Sequence, residues 1–232
     1  SITKIFCLRK KKLFDNNLAQ DMSLIIPCKN EEGNIKNIVE RVKKDISFPY
    51  EIIFIDDKSD DNTLNLMNEE KNKNSELKIK IVNGPGKGKS AAIKAGIEKS
   101  DCLYSIIVDA DMTVSIKDIN LFYNAIKMSY GDLINGSRLI YKPYAGSMKT
   151  LNYFGNIFFG VLSSYISSHL ITDTLCGSKC FKTKNFKIME EYKIENNISD
   201  IWGDFNILFS CNYYGLKSVD LPVRYYEREA GE

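Results

Sequence analysis

Two aspartates separated by one residue, Asp109 and Asp111, are the residues of this chain best suited to hold a metal ion. They follow a short apolar run from Tyr104 to Val108, whose β-branched side chains indicate a buried strand. In an extended chain the side chains of residues i and i+2 point to the same face, so both carboxylates can bind one hard cation. Open α/β sheets bind ligands at the carboxyl ends of their strands, where a divalent ion could hold a diphosphate. The alternative is a chance Asp-x-Asp that only ends a strand or caps a helix.

Two further predicted strands end in polar residues that suit the binding of a nucleoside. These residues are Pro27, Lys29, Asn30 and Glu31 after the first strand and Asp57 after the second. Asp57 can accept hydrogen bonds from the edge of a base, and Asn30 with Glu31 can hold base and ribose in the same cleft. Asn30 and Glu31 could instead cap the helix that follows.

A glycine-rich turn after the third predicted strand suits the binding of a diphosphate. Gly86 and Gly88 let the backbone approach phosphate oxygens, and Lys87 adds a positive charge. The helix that follows offers the amide groups of its first turn. The stretch from Asn83 to Ser90 also nearly matches the P-loop pattern Gly-x4-Gly-Lys-Ser. Because Asn83 stands at the first glycine position, a P-loop ATPase is disfavoured.

Strands and helices alternate through the first half of the chain and position these residues. Apolar runs predict strands over residues 22–26, 51–55, 77–82, 104–108 and 133–136, with Pro27 ending the first. Helical spacing predicts helices over residues 31–46, 60–73, 90–99 and 115–128. Such alternation predicts βαβ units and a Rossmann-like, mostly parallel sheet flanked by helices. The four polar strand ends would then meet along one edge of the sheet.

The second half of the chain contains an uncharged segment of 21 residues, Leu151 to Ile171. It is long enough for a transmembrane helix, but its serine, asparagine and histidine side chains make it too polar for a comfortable span. We expect a helix that packs on the domain, or one that also faces a lipid or a lipid-linked substrate. A short strand near 179–181, a helix over about 203–214 and a last strand over 216–221 complete the prediction.

The chain closely resembles the family 2 glycosyltransferases of GT-A fold over roughly residues 22–232. The resemblance rests on four motifs in the order and spacing of that family: Pro27-x-x-Asn30-Glu31, Asp56-Asp57-x-Ser59-x-Asp61-x-Thr63, Gly86-Lys87-Gly88 and Asp109-x-Asp111. The second half resembles the branch that glucosylates or mannosylates dolichyl or other polyprenyl phosphates. There the matching segments are Gly136 to Arg138, Asp173 to Lys179 and Pro222 to Glu232, with Ser178 where an aromatic residue is usual.

The resemblance implies an inverting hexosyltransferase that uses a UDP- or GDP-linked sugar as donor. Asp111 is expected to bind Mg²⁺ or Mn²⁺, and Asp109 to contact the donor ribose or to act as a second metal ligand. The cation would neutralise the charge that develops on the departing nucleoside diphosphate. Arg138 is expected to bind the donor diphosphate or an acceptor phosphate, the alternative being a surface salt bridge.

An inverting transfer uses a carboxylate that helps to deprotonate the acceptor. Asp204 is the first candidate, because the family often keeps an acidic residue there beside the acceptor, and Asp173 is the second. Either residue could instead cap a helix. If the acceptor is a lipid phosphate, it is already ionised near neutral pH and the base becomes dispensable.

The composition bounds the class of protein. With 232 residues, of which 44% are hydrophobic and 27% charged, the chain has globular values and can bury a core of ordinary size. A net charge of +2 gives no general attraction to nucleic acid. Six cysteines without paired spacing favour a reducing compartment. The single histidine, His169, argues against a histidine-based zinc site or a Ser-His-Asp triad.

We expect one GT-A domain over residues 22–232, preceded by an N-terminal arm over residues 1–21. Residues 22–113 would form the nucleotide-binding half, and residues 114–232 the half on the sugar and acceptor side. The basic cluster from Arg9 to Lys12 in the arm is either a solvated face or a contact with an anionic membrane surface. The expected location is the cytoplasm, at the cytoplasmic face of a membrane, with a polyprenyl or dolichyl phosphate as acceptor.

Two alternatives to a lipid-phosphate acceptor stay open. One is a glycosyltransferase that acts on a soluble glycan, a protein or a small molecule, which a wholly buried helix over residues 151–171 would favour. The other is a nucleotide-sugar-binding domain without turnover. Asp109, Asp111 and Lys87 argue against the second, because a decayed site would be expected to lose them.

Overall fold

Strands from both halves of the chain join in one seven-stranded sheet, which supports the proposal of a single domain. The structure is a computed structural model and describes residues 21–141, 148, 150–167, 169–198 and 203–228, so the basic cluster at residues 9–12 lies outside the described residues. The strands are β1 (Met22–Cys28), β2 (Tyr50–Asp56), β3 (Ile79–Asn83), β4 (Tyr104–Ile107), β5 (Leu133–Ser137), β6 (Lys179–Lys182) and β7 (Ser218–Pro222). Their spatial order is β3-β2-β1-β4-β6-β5-β7.

The sheet is mostly parallel, as predicted, with β6 as the exception. β6 runs antiparallel to both of its neighbours, β4 and β5, while the other neighbouring pairs are parallel. β1 pairs with β2 over its whole length, from Met22 opposite Tyr50 to Cys28 opposite Asp56. The first four strands are parallel neighbours, so the polar segments that follow them meet at one edge.

Helices cover both faces of the sheet. In the described part of the chain they are α1 (Ile35–Asp45), α2 (Thr63–Lys73), α3 (Lys89–Ile97), α4 (Ile119–Lys127), α5 (Thr150–Ser167), α6 (Phe186–Glu195) and α7 (Asp204–Tyr213). One apolar cluster joins Leu24 and Phe54 of the sheet to α1, and a second joins Ile25 and Ile53 to α3 and α7. Successive strand residues thus point to opposite faces, and both faces are covered. The central strands are therefore apolar along their length.

The predicted end of the first strand at Pro27 is wrong, because β1 continues to Cys28. In a parallel strand the N–H and C=O groups of one residue point to the same side, and the side alternates along the chain. Ile25 O accepts from Val108 N on the β4 side, and Cys28 O accepts from Asp57 N on the β2 side. Pro27 therefore faces the β4 side, where pairing with β4 has already ended at Ile25. The N–H that proline lacks is not needed there.

Four helices differ from the sequence prediction: α1 and α4 begin four residues later than predicted, α5 ends earlier and α6 was not predicted. The sequence does not predict α6, since its buried residues are Phe186 and Met189 and the charged residues around them hide the helical spacing. α5 ends at Ser167, before the predicted end at Ile171. Ser164 Oγ accepts from Ile171 N at 2.9 Å, so the chain turns back onto the helix. None of the helices in the described ranges combines the length and the apolar character that crossing a bilayer requires.

Candidate active site

The loops that follow β1 and β2 are joined to each other by hydrogen bonds. Asn30 N donates to Ser59 Oγ at 3.0 Å, and Asn30 Oδ1 accepts from Asp60 N at 2.8 Å. Glu31 N donates to Thr63 Oγ1 at 2.8 Å. Asn30 has a φ of 55°, which asparagine tolerates better than most residues. Asn30 therefore holds the two loops together on this side of the cleft. Its contact with a nucleotide stays a prediction. The other predicted residues here are Pro27, half-buried in β1, and Lys29, which is exposed.

The carboxylate of Asp57 accepts hydrogen bonds from the glycine-rich turn after β3. Its Oδ1 accepts from Gly86 N at 2.6 Å, and its Oδ2 accepts from Gly88 N at 3.0 Å. A Cβ atom on Gly84 would lie 2.7 Å from Asp57 Oδ1, so only glycine lets the two loops approach this closely. Each carboxylate oxygen has a second lone pair, through which Asp57 can still accept from a base.

Lys89, the first residue of α3, lies beside Asp109 in the cleft, and the sequence analysis did not select it. Lys87 is exposed on the turn, whereas Lys89 Nζ lies 2.6 Å from Asp109 Oδ1. Burial disfavours the charged form of Lys89, but Asp109 and Asp204 outweigh it and raise the pKa of the ammonium group above its ordinary value. The lysine is therefore charged at neutral pH. Its signal in the sequence was the P-loop-like Gly88-Lys89 at the start of a helix.

The two aspartates of the Asp-x-Asp pair lie just beyond β4 and have different partners. Burial would raise the pKa of Asp109, but Lys89 outweighs it and holds the pKa below its ordinary value. Asp111 Oδ1 accepts from Thr113 N at 3.1 Å and from Thr113 Oγ1 at 2.9 Å. Asp111 Oδ2 accepts from Arg228 Nη2 at 2.9 Å. A cation bound at this oxygen would replace the contact with Arg228.

The carboxylates at the edge of the sheet fit a metal ion that binds together with a diphosphate. Among the described residues, no group of three or more His, Cys, Asp or Glu side chains is placed to hold a metal ion. Mg²⁺ commonly takes only one or two carboxylates and completes its shell with substrate phosphates and water, as Asp109 and Asp111 would allow. Burial raises the pKa of Glu31, and the negative charges of Asp111 and Asp109 add to this effect. A cation would relieve that repulsion.

Arg138 and Asp173 form a bidentate ion pair in which Asp173 is fully buried and Arg138 is partly buried, so it is not the surface salt bridge considered as an alternative. Arg138 Nε and Nη2 donate to the two oxygens of Asp173 at 2.7 and 2.9 Å. The backbone amides of Arg138 and Leu175 also donate to this carboxylate, both at 3.0 Å. Burial opposes the charge on Asp173, but Arg138 outweighs it and lowers the carboxyl pKa. Asp173 thus fixes Arg138, whose guanidinium group lies 5.1 Å from the centre of the Tyr225 ring.

Asp204 begins α7 and pairs with a buried lysine that the sequence analysis did not select. Lys179 Nζ lies 2.8 Å from Asp204 Oδ1, and the Lys179 side chain is fully buried. Lys179 also donates to the backbone oxygen of Cys176. The positive end of the α7 dipole further favours the carboxylate of Asp204. Trp202, two residues before Asp204, lies outside the described residues.

Replacing Lys89 with glutamine is expected to lower donor affinity by about 10- to 100-fold, because Lys89 orients and balances the charge of Asp109. The matched control is Lys87→Gln, two residues away on the exposed part of the turn, which should bind the donor nearly as the wild type does. Titration calorimetry with a nucleoside-diphosphate sugar and Mn²⁺ measures both variants. A larger loss in Lys87→Gln than in Lys89→Gln would reverse this assignment.

Replacing Gly177 with alanine is expected to displace Asp109 and to weaken metal and donor binding by about 10-fold or more. A Cβ atom at this position would lie 2.1 Å from Asp109 Oδ2, which is far inside contact distance. Gly155→Ala is the control, because a Cβ atom on Gly155 meets nothing within 4 Å and alanine favours a helix. Unchanged binding of Mn²⁺ and donor by Gly177→Ala would show that Asp109 is not held against Gly177.

The chain belongs to glycosyl transferase family 2, whose sequence profile matches residues 23–205. The family predicted from the four motifs is therefore confirmed. The matched region contains all four motif segments and extends through Arg138, Asp173 and Asp204.

Two curated relatives indicate which members of the family this chain resembles. A dolichyl-phosphate beta-glucosyltransferase of Dictyostelium discoideum is 32% identical over 222 residues, covering 89% of this chain and 66% of the relative. A second dolichyl-phosphate beta-glucosyltransferase, from Trichomonas vaginalis, is 28% identical over 223 residues, with the same coverage of 89% and 66%. The chain thus spans slightly less than two thirds of the length of these relatives.

Two solved structures share the fold at low sequence identity. S. aureus TarS 1-349 in complex with UDP-GlcNAc has a TM-score of 0.60 and 20% identity, covering 92% of this chain and 60% of that one. Glucosyl-3-phosphoglycerate synthase from Mycobacterium tuberculosis, in complex with Mn²⁺, UDP and glucosyl-3-phosphoglycerate, has a TM-score of 0.60 and 13% identity, covering 91% and 73%. This likeness confirms the predicted GT-A fold.

Proposed function

We propose that this protein is a metal-dependent, inverting hexosyltransferase that moves a hexose from a nucleoside-diphosphate sugar to a polyprenyl phosphate such as dolichyl phosphate. The observation that carries the proposal is the charged cluster at the carboxyl edge of the sheet. There Asp109 pairs with Lys89, and Asp111 pairs with Arg228. Carboxylates that could bind a metal ion thus lie beside Lys89 and Arg228, whose positive charges suit a diphosphate.

A UDP-linked glucose is the first donor to consider. The structures similar in fold include complexes with UDP-GlcNAc and with UDP and Mn²⁺, and the curated relatives are named as glucosyltransferases. In this chain, Asn30, Glu31 and Asp57 would hold the nucleoside, and the turn from Gly86 to Gly88 would face the diphosphate. Asp109 would contact the ribose or share the metal ion with Asp111.

The transfer would be a single displacement at the anomeric carbon of the donor. The acceptor oxygen forms its bond as the bond to the diphosphate breaks, so the configuration at that carbon inverts. A Mg²⁺ or Mn²⁺ ion held by Asp111 and Asp109 would stabilise the negative charge of the departing diphosphate. Lys89 adds a fixed positive charge beside Asp109 and needs no rearrangement to do so. Positioning and electrostatics then supply most of the rate enhancement.

On the acceptor side, Arg138 would bind the acceptor phosphate and Asp173 would position Arg138. Both oxygens of Asp173 already accept hydrogen bonds, so we propose it as a positioning residue in place of the second candidate base. Asp204, held by Lys179, is the candidate base for an acceptor that must lose a proton. If the acceptor is a phosphate, it is already ionised at neutral pH and needs no base. Asp204 would then help to position the acceptor.

A lipid acceptor is supported by α5, which is not the buried helix that a soluble acceptor would favour. Leu151, Phe154 and Tyr165 of α5 have exposed fractions of 82%, 63% and 83%. We propose peripheral contact with a membrane at its cytoplasmic face. The cysteines among the described residues are free and buried, which fits the reducing compartment expected from the sequence. Burial raises the pKa of the Cys176 thiol to about 12.

The proposal is tested by titration calorimetry of the purified protein with UDP- and GDP-sugars in the presence of Mn²⁺ or Mg²⁺. We expect one of these donors to bind, and binding to weaken strongly when EDTA removes the metal. Binding of no UDP- or GDP-sugar under either metal would contradict the proposal. Metal-dependent binding without any release of nucleotide would instead favour the binding domain without turnover.

A further inference from the structure

We infer that the outward face of α5 inserts into the surface of a lipid bilayer and holds the acceptor side of the cleft at the level of the lipid headgroups. The outward face comprises Leu151, Phe154, Ile157, Phe158, Phe159, Val161, Leu162, Tyr165 and Ile166. The inference rests on the proposed function only in taking the acceptor phosphate to be that of a membrane lipid.

The burial of α5 is the reverse of that in an ordinary surface helix. Its side chains of low exposure include Asn156 at 6% and Ser163 at 5%, which are polar. Its large apolar side chains point away from the protein, and Phe158 and Val161 have exposed fractions of 62% and 66%. A surface helix in water normally places its apolar stripe on the core and its polar face outward. α5 therefore fits surroundings that are apolar.

The serine hydroxyl groups at positions 164 and 167 of α5 bond within the protein and do not depend on water. Ser164 Oγ donates to Gly160 O at 2.7 Å, and Ser167 Oγ donates to Ser163 O at 2.6 Å. A Cβ atom on Gly160 would lie 2.9 Å from Thr172 O, so glycine lets the returning chain pack directly against the helix. Satisfied hydroxyl groups can enter an apolar medium at little cost.

The width of the outward face favours a continuous apolar medium over a single protein partner. At about 100° per residue, the large apolar residues from Ile157 round to Phe159 span roughly 200° of the helix circumference. A helix docked on one partner needs a stripe about half as wide. The span from Leu151 to Ile171 has no charged residue. A helix that lies in the plane of a bilayer surface buries such a broad face.

The same helix leads directly to the acceptor side of the cleft. After α5 the chain turns back through Ile171, bonded to Ser164, and reaches Asp173, which holds Arg138. Ile140, two residues beyond Arg138, and Leu170 are also exposed, with fractions of 49% and 77%. Exposed apolar side chains thus lie close in the chain to both members of the Arg138–Asp173 pair. We infer that a bilayer against this surface brings a lipid-borne phosphate to the side of the cleft that holds Arg138.

The test is flotation of the protein with vesicles of pure phosphatidylcholine at low and at high salt. We expect binding at both salt concentrations, because the outward face is uncharged. The double variant Phe154→Gln/Phe158→Gln should lose at least about 10-fold in vesicle affinity. The control variant Leu121→Gln/Met128→Gln changes exposed apolar residues of α4 and its loop and should bind as the wild type. Thermal unfolding and donor calorimetry check that each variant is folded.

Three results would overturn the inference. One is equal vesicle binding by wild type and by Phe154→Gln/Phe158→Gln. Another is binding only to vesicles with phosphatidylserine that disappears at high salt, which would assign the contact to basic residues. The third is a wild-type dimer that ignores vesicles and that the double variant converts to monomer, since a second copy would then cover α5. Wild-type transfer to a short-chain, water-soluble prenyl phosphate is measured in parallel, so a failure of the proposed activity is seen separately from a failure of vesicle binding.

Discussion

Replacing Asp111 with asparagine is expected to lower turnover by about 100- to 1,000-fold while the protein stays folded. Asparagine keeps the shape and can still accept from Thr113, but it removes the negative charge that a divalent ion needs. The loss should appear in the rate of transfer and in the affinity for Mn²⁺ measured without donor or with UDP. Thermal unfolding should change little, because the side chain lies at the cleft and its partner Arg228 is partly exposed.

The control for this variant is Asp101→Asn. Asp101 is an exposed aspartate before β4, where it pairs with Lys78 and Lys80 away from the cleft. Exposed pairs of this kind contribute little, so Asp101→Asn should keep nearly full turnover. If Asp111→Asn kept the activity of Asp101→Asn, Asp111 would have no part in metal binding.

Replacing Asp173 with asparagine is expected to lower the free energy of unfolding by about 3–5 kcal/mol, because it leaves the largely shielded Arg138 guanidinium without its counter-charge. The Asp173 side chain is fully buried and that of Arg138 is 12% exposed, so water can compensate the charge only in part. Urea unfolding followed by circular dichroism measures the loss. Transfer to a phosphate acceptor should fall as well, since Arg138 loses its fixed orientation.

The effect of Asp173→Asn on the free energy of unfolding is expected to depend on pH. Arg138 outweighs burial and holds the pKa of Asp173 below its ordinary value in the folded protein. Its stabilising contribution is then complete above about pH 4, the ordinary range of an aspartate, and is lost as the pH falls through the lowered pKa. The stability difference between wild type and Asp173→Asn should shrink over that acidic range.

The double variant Arg138→Met/Asp173→Asn separates stability from function. Removing the uncompensated charge should restore part of the stability that Asp173→Asn loses. It should not restore transfer, because the group that would bind the acceptor phosphate is gone. Recovery of transfer in the double variant would show that Arg138 does not bind the acceptor.

Sequence patterns predicted the sheet well because its central strands are covered on both faces. The apolar runs of β1 and β2 leave little choice of structure, and the spacing of Ile35, Ile38, Val39 and Val42 defines the buried face of α1. The end of β1 was predicted wrongly, since Pro27 faces a side where pairing has ceased. α6 was missed because two buried residues do not make a visible period.

The candidate site was predicted less completely, because its contacts join residues far apart in the chain. Lys179 pairs with Asp204, 25 residues away, and Arg228 pairs with Asp111, 117 residues away. Residues that lie so far apart in the sequence leave no local pattern that would predict their contact. Lys89 was not selected, because its contact with Asp109 depends on where α3 begins. The outward face of α5 likewise depends on packing, because the segment is uncharged on every side.

The central claim is tested most directly by incubating the protein with UDP-[¹⁴C]glucose, dolichyl phosphate and Mn²⁺ and counting the label extracted into organic solvent. The account predicts labelled, lipid-linked glucose that depends on both the metal and the acceptor, and that Asp111→Asn does not form. GDP-mannose in place of UDP-glucose identifies the sugar if the first donor is inert. Donor binding with no label in the organic phase from either donor would contradict transfer to a polyprenyl phosphate.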